Sequence, residues 1–181
     1  MTIKLHLGCG KKNFGKDWDH IDVNEEYDHI KSHDIINLPY EENTVDLIYA
    51  SHVFEYFDRD EASEVLLKWK KVLKPNGILR IAVPDFESMV KLYLEKGYPL
   101  SKFLGPLYGK WRVNNNNIYH KTTYDFDSLK NILEEARFNN IERWNWRKVE
   151  HSDFDDYSQA YVPHMDKENG TLISLNVECC K

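Results

Sequence analysis

An apolar segment, Leu5-His6-Leu7, runs straight into Gly8-Cys9-Gly10, and a second short segment, Asp19-His20-Ile21-Asp22-Val23, ends on a carboxylate. This pairing constrains the fold more than any other feature. Glycines at a strand end let the backbone turn tightly and come close to a ligand. In open α/β sheets, ligands bind where strands terminate. The rest of the chain supplies the alternation such a sheet needs. Ile30 to Asp34 and Val45 to Ala50 read as third and fourth strands, the fourth apolar enough to be buried on both faces. A helix follows, capped by Asp60 or a neighbour, with Val65, Leu66, Trp69, Val72 and Leu73 at helical spacing and Pro75-Asn76-Gly77 as its stop. Ile78 to Val83 is the fifth strand. The helix after Pro84-Asp85 is expected to carry a stripe of Phe86, Met89, Val90, Tyr93 and Leu94 and to end at Gly97 and Pro99. A later helix runs from about Asp127 to Arg137, with Leu129, Ile132, Leu133 and Ala136 inward. Ile141 to Val149 is read as a strand with alternating Trp144 and Trp146, residues 151–170 as a long acidic loop, and Leu172 to Val177 as the last strand behind the turn signal Asn169-Gly170. Strands alternating with helices predict a parallel sheet. The last two strands lack a helix between them, so an antiparallel pair is expected at one edge.

At 181 residues the chain suits one domain with one core. No apolar run approaches the roughly 20 residues of a membrane span, and Met1-Thr2-Ile3-Lys4 lacks the regions of a secretory signal. A cytoplasmic location and a monomer or weak dimer are expected. The net charge of -6 argues against a nucleic-acid partner. Lys68, Lys70, Lys71 and Lys74 read as a solvated helix face. Cys9, Cys179 and Cys180 are odd in number and form no CxxC, so neither a zinc ribbon nor a disulfide framework is expected. Cys9 reads as packing within the loop. His29 and His33 have no second ligand pair for zinc. His151, Asp153, Asp155 and Asp156 offer donors to a hard cation such as magnesium, but the bland reading of that run is a solvated loop, and no metal is assigned.

Three ligand classes use a glycine loop after a strand. A dinucleotide site wants GxGxxG, and Asn13 stands at the third glycine. A P-loop wants GxxxxGK and then Ser or Thr; Gly10 to Lys16 fits, but Asp17 replaces the hydroxyl and puts negative charge where phosphate would sit. Trp18 to Ile21 then returns to a strand, leaving no helix N-terminus for an anion. The third class is S-adenosylmethionine, whose adenosine carries no phosphate. It needs close backbone approach and a carboxylate for the two ribose hydroxyls, and an ionised carboxylate such as Asp22 accepts two hydrogen bonds from a vicinal diol.

Leu5 to Gly10, Asp22, Asp34-Ile35-Ile36-Asn37-Leu38-Pro39, Val45 to Tyr56 and Leu73-Lys74-Pro75-Asn76-Gly77-Ile78-Leu79 together resemble the class I S-adenosylmethionine-dependent methyltransferases, especially the compact type found in surface-glycan gene clusters. The likeness covers about residues 3 to 140, in order. Glu134 to Phe138 resembles the family's helix ending before strand six, with Arg137 where a glycine is usual. The resemblance implies a Rossmann-like, doubly wound, three-layer α/β/α fold, with a seven-stranded sheet ordered 3-2-1-4-5-7-6 and strand seven antiparallel. It implies cofactor contacts from Leu7, Gly8, Cys9 and Gly10, Asp22 and Val23 at the ribose, Asp34 and Ile35 at the adenine, and Ser51 and His52 at the methionine part. The usual first helix is nearly absent between Gly10 and Asp19, and no helix precedes strand one. Either the chain is a domain of a longer protein, or residues 98–125 form the lid and acceptor-binding insertion.

Methyl transfer is an in-line displacement that needs alignment and exclusion of water, and an alcohol acceptor also needs a general base. His120, Asp85 and His52 are the candidates. Glu55 follows His52 by three and would point the same way in a helical turn. Each has an ordinary reading beside it: the histidines as surface or hydrogen-bonding groups, Asp85 as a helix cap. Tyr108, Trp111 and Tyr119, with Asp155 and Asp156, are the candidate acceptor contacts, because aromatic faces stack on sugar rings and carboxylates hold hydroxyls. The family likeness tilts the reading toward O-methylation of a sugar hydroxyl of a glycan. N-methylation of a small amine or protein side chain, and a cofactor-holding module without chemistry, are the alternatives.

Overall fold

The computed structural model describes residues 2–181. In chain order it contains β1 (Lys4–Leu7), β2 (Asp19–Ile21), β3 (Ile30–Ser32), β4 (Val45–Ser51), α1 (Arg59–Val72), β5 (Leu73–Pro84), α2 (Phe86–Lys96), α3 (Leu104–Tyr108), β6 (Trp111–Val113), β7 (Asn116–Ile118), α4 (Phe126–Glu135), β8 (Asn139–Arg143), β9 (Tyr161–Val162), β10 (Thr171–Leu172) and β11 (Ser174–Cys180). Seven strands form one sheet in the order β3-β2-β1-β4-β5-β11-β8. β1 to β5 pair in parallel, and β11 runs antiparallel to both β5 and β8. The expected order is therefore observed, with β11 as the antiparallel seventh strand inserted beside β5.

Alternation along the strands sends two different sets of side chains to the two faces. Leu5, Leu7, Ile21, Ile48, Leu79, Ile81, Val83, Leu175 and Val177 meet the buried stripes of α1 and α4 in the main core. Asp58, not Asp60, caps α1, in a capping box with Glu61. Lys70 Nζ donates to the carbonyls of Ala136 and Arg137 and staples α1 to the end of α4. Lys68, Lys71 and Lys74 each pair with a carboxylate, Glu64, Glu42 and Asp46.

The opposite face carries His6, Tyr49, Arg80 and Asn176, all buried. Its apolar cluster joins Phe14, Trp18, Leu47, Tyr49, Ala82 and Trp144 and includes no residue of α1 to α4. Loop aromatics lie where a helix was scarcely expected: Phe14 stacks on His6 at 4.1 Å and on Phe154 at 4.5 Å.

Three local expectations shift. On α2 only Met89 and Leu92 are buried, while Phe86, Tyr93 and Leu94 are exposed, because this helix packs on Phe103 and Ile173 instead of lying flat on the sheet. β8 begins at Asn139 and is over by Trp144, whose indole turns onto Ile81 O and whose neighbour Trp146 opens a short helical turn. Within 98–125, where the sequence reading placed no strand or helix, the structure forms α3 and the β6–β7 hairpin.

Candidate functional site

The site gathers where β1, β2, β4 and β5 end. Gly8 (φ +61°) donates its N–H to Ile21 O at 2.7 Å, locking the end of β1 to β2. A Cβ there would lie 2.1 Å from Val53 Cγ2, so only glycine fits. Gly10 (φ +54°) is the contrary case: a Cβ would meet nothing within 4 Å, so space is open beside the loop. Its N–H donates to Asp22 Oδ2 at 2.7 Å, and Asn24 N–H donates to Oδ1 at 2.8 Å. The two amides aim the buried carboxylate, and each oxygen keeps a free lone pair. Leu7 is buried beneath the loop. Cys9 is buried too, and burial, with Asp22 nearby, pushes its thiol up to about 12, as a packing residue requires.

Val23 is held from outside. Its carbonyl accepts Asn114 Nδ2–H at 3.0 Å. Asn114 and Asn115 have φ of 46° and 68° and form the two-residue tip of the β6–β7 hairpin, the backbone that such tight hairpin turns demand. The tip of the 98–125 segment therefore rests against the end of β2. Ile35 is anchored through its carbonyl, which accepts Trp69 Nε1–H at 2.7 Å. Asp34 is exposed and accepts the N–H groups of Ile36 and Asn37 and the Asn37 side chain, so its carboxylate organises its own turn. Ser51, at the end of β4, is buried with a hydroxyl that has no protein partner.

Next to this crevice lies an acid–base corner. His52 (φ +53°) has an uncommon backbone for a non-glycine residue. Its Nε2 is 3.1 Å from Ser174 Oγ and its Nδ1 is 3.4 Å from Glu55 Oε1. His120 Nδ1 is 2.9 Å from Pro106 O, and its Nε2 is 3.7 Å from the same Glu55 Oε1. Glu55, in the turn Phe54–Tyr56, is wholly buried and neither carboxyl oxygen has a hydrogen-bond partner. Burial pushes that carboxyl up to about 8. Burial, then His120, takes His52 down to about 3, and burial lowers His120. The sequence offered Glu55 only as the residue three places after His52; its orphaned state depends on the 98–125 segment, whose Lys121 and Thr122 N–H groups both bond to Glu55 O.

Asp85 is not free in this corner. It caps α2, its Oδ1 accepting Ser88 N–H and its Oδ2 accepting Ser88 Oγ–H at 2.8 Å, with Arg143 at 3.6 Å. The geometry favours its reading as a cap over its reading as a base. Asp156 is a correction of the same kind. It is half-buried on the far face and accepts Tyr49 Oη–H at 2.6 Å and Ser158 N–H at 2.8 Å, so its carboxylate is committed to the core side and not turned to an acceptor. Asp155 is exposed and pairs with Lys167 at 2.9 Å. With His151 tilted against Tyr49 at 4.1 Å between ring centres, the residues weighed for a cation do not converge. Tyr108, Trp111 and Tyr119 are exposed on the 98–125 segment, and the exposed Tyr157 ring stands 5.4 Å from His52.

Comparison with known proteins agrees with this layout. Residues 5–81 match the family model described as "Methyltransferase domain". A demethylmenaquinone methyltransferase of Staphylococcus haemolyticus is 30% identical over 125 residues, covering 62% of this chain and 48% of that protein. The chain thus spans about half the length of that curated relative. Among solved structures, a SAM-dependent methyltransferase from Archaeoglobus fulgidus superposes with a TM-score of 0.59 at 17% identity, over 99% of this chain and 86% of that one. The 1,6-didemethyltoxoflavin-N1-methyltransferase of Burkholderia thailandensis, solved with bound 1,6-didemethyltoxoflavin and S-adenosylhomocysteine, gives 0.54 at 13% identity, over 99% and 70%. Residues 5–81 are thus similar to a methyltransferase domain, and the chain carries the fold seen in solved S-adenosylmethionine-dependent methyltransferases.

Proposed function

We propose that this chain is an S-adenosylmethionine-dependent methyltransferase acting on a hydroxyl of a small acceptor, with a sugar hydroxyl of a glycan as the acceptor class. The observation that carries the reading is the aimed carboxylate of Asp22 beside open space at Gly10. When bound, the cofactor supplies a methyl group activated on a sulfonium. Asp22 would hold its ribose diol, Gly8 and Gly10 would give close backbone approach, and Ile35 would lie against its adenine. Ser51, with its unpartnered hydroxyl, and His52 would face its amino-acid end. The β6–β7 hairpin, tied to Val23, would exclude water. Exposed rings of Tyr108, Trp111, Tyr119 and Tyr157 support a sugar-stacking surface.

The setting proposed with it is cytoplasmic, supported by three free thiols. No helix among the described residues is long and apolar enough to cross a membrane. Calorimetry tests the cofactor assignment: Asp22→Ala should weaken S-adenosylhomocysteine at least 100-fold, because two hydrogen bonds to a charged group at ~1.5–3 kcal/mol each are lost. Unchanged affinity would refute the assignment of Asp22. Mass spectrometry of a glycan panel incubated with enzyme and cofactor, with and without chelator, tests the acceptor. A one-methyl gain is expected on a sugar; a gain only on amines or on a quinone ring would replace that class.

A further inference from the structure

The hydrogen bonds around Glu55 fix where protons are. Ser174 has one hydroxyl proton, and it goes to Asn176 Oδ1 at 2.8 Å, because Asn176 turns its amide N–H toward Ser158 O at 2.9 Å. Ser174 Oγ must therefore accept from His52, so His52 carries its proton on Nε2 and presents a bare Nδ1 to Glu55. On the lid side, Pro106 O only accepts, so His120 carries its proton on Nδ1 and presents a bare Nε2 to Glu55. Two imidazole lone pairs and a carboxyl group converge, and among them there is no donor unless the carboxyl itself carries the proton.

Among the described residues, no lysine or arginine side chain pairs with the Glu55 carboxyl. The other titratable groups that feel Glu55 are Tyr56 on its own turn and Tyr124 after the lid. The Tyr124 hydroxyl is itself buried without a partner. Lys121 sends its side chain away to Glu61.

We propose that Glu55 is the proton-holding positioning residue of the acceptor site: its carboxyl shares one proton with His52 Nδ1 and His120 Nε2, and its carboxylate form receives, through His120, the proton that an acceptor hydroxyl sheds. This rests on the methyltransferase reading. The step balances as follows. The acceptor oxygen uses a lone pair to form the new O–CH3 bond, while the S–CH3 pair stays on sulfur. The O–H pair stays on oxygen as His120 Nε2 takes the proton, which then passes to Glu55 Oε1. The site is thus ready for reaction only when Glu55 is ionised, and it ends each turnover neutral.

Imidazole 15N shifts of the full chain, followed against pH, read the cluster without any acceptor. His52 and His120 should both show a step with its midpoint near 8, where Glu55 ionises, although neither ring titrates there. Glu55→Gln, which keeps shape and can donate to both rings, should abolish both steps while S-adenosylhomocysteine affinity stays within twofold. Steps that persist in Glu55→Gln, or a wild-type protein with no step above pH 6, would overturn the proposal. With an acceptor found, wild-type kcat should rise through the same pH range. Glu55→Gln should lose about 100-fold in kcat at pH 9, the low end for general base catalysis, with KM within threefold. An unaltered pH profile in that variant would also overturn it. If S-adenosylhomocysteine fails to bind the wild type while the paired steps are seen, the methyltransferase reading fails and the proton cluster stands.

Discussion

On one face of the sheet, α1 and α4 press Leu66, Trp69, Leu129 and Leu133 onto Leu5, Ile48, Ile81 and Val177. On the other, Phe14, Trp18, Trp144 and His151 come from loops and lie over His6, Tyr49 and Arg80. The first face is stabilised by apolar area removed from water, which is indifferent to pH. The second combines aromatic contact with buried polar groups, each of which must find a partner or lose free energy. Arg80 is engaged through Nε with Glu178 at 3.0 Å and through Nη1 with Glu150 at 3.1 Å and His151 Nε2 at 3.3 Å. His6 is less fortunate, its Nδ1 buried without a partner. A face made in this way holds only while its histidines stay neutral, so the comparison predicts one acid-stable layer and one acid-labile layer.

The largest expected effect is on the helical face. Trp69→Ala removes a side chain buried completely between α1 and the sheet, together with its bond to Ile35 O. A loss of ~3–5 kcal/mol in urea unfolding at pH 7 is expected, with the same difference at pH 5. A strongly pH-dependent difference would break the division between the faces.

The second effect belongs to acid. Burial, then the neighbouring His20, holds His6 well below the ordinary histidine range, and burial, then Arg80, takes His151 down to about 4. The unfolded chain binds these protons first, so their stabilisation is present above about 6.5 and is lost as pH falls toward 4. Each such histidine contributes up to ~1.4 kcal/mol per pH unit in that window. Denaturant midpoints should therefore drop between pH 6.5 and 4. His151→Phe should flatten the slope; an unchanged slope would place the acid sensitivity elsewhere.

The smallest effect sharpens the polar side. Tyr49→Phe keeps the ring against His151 but takes the hydroxyl donor from Asp156. About 1–2 kcal/mol should be lost, and equal stability of the two proteins would show that Asp156 is neutral and self-sufficient through Ser158.

The sequence by itself determined what local chemistry enforces. Gly8 and Gly10 adopt positive φ beside a carboxylate, and that requirement is written in three residues at a strand end. Periodicity located α1 and α4, and the family likeness supplied the strand order that the sheet shows. The tertiary structure decided everything that depends on which distant segment folds over a given side chain. Asp85 reads as a base and Asp156 as an acceptor contact in the sequence, yet one caps a helix and the other holds a tyrosine 107 positions away. The stripe on α2 turned outward because the partners of that helix are Phe103 and Ile173, not the sheet. Glu55 is the converse: an acid that the sequence marked only by its spacing from His52 becomes, among the described residues, the one buried carboxyl without a hydrogen-bond partner, because Lys121 and Thr122 close over its backbone and the rings of His52 and His120 both come up to it. Backbone handedness and side-chain period are short-range properties, readable residue by residue; desolvation and partner choice arise only when segments far apart in the chain exclude water together.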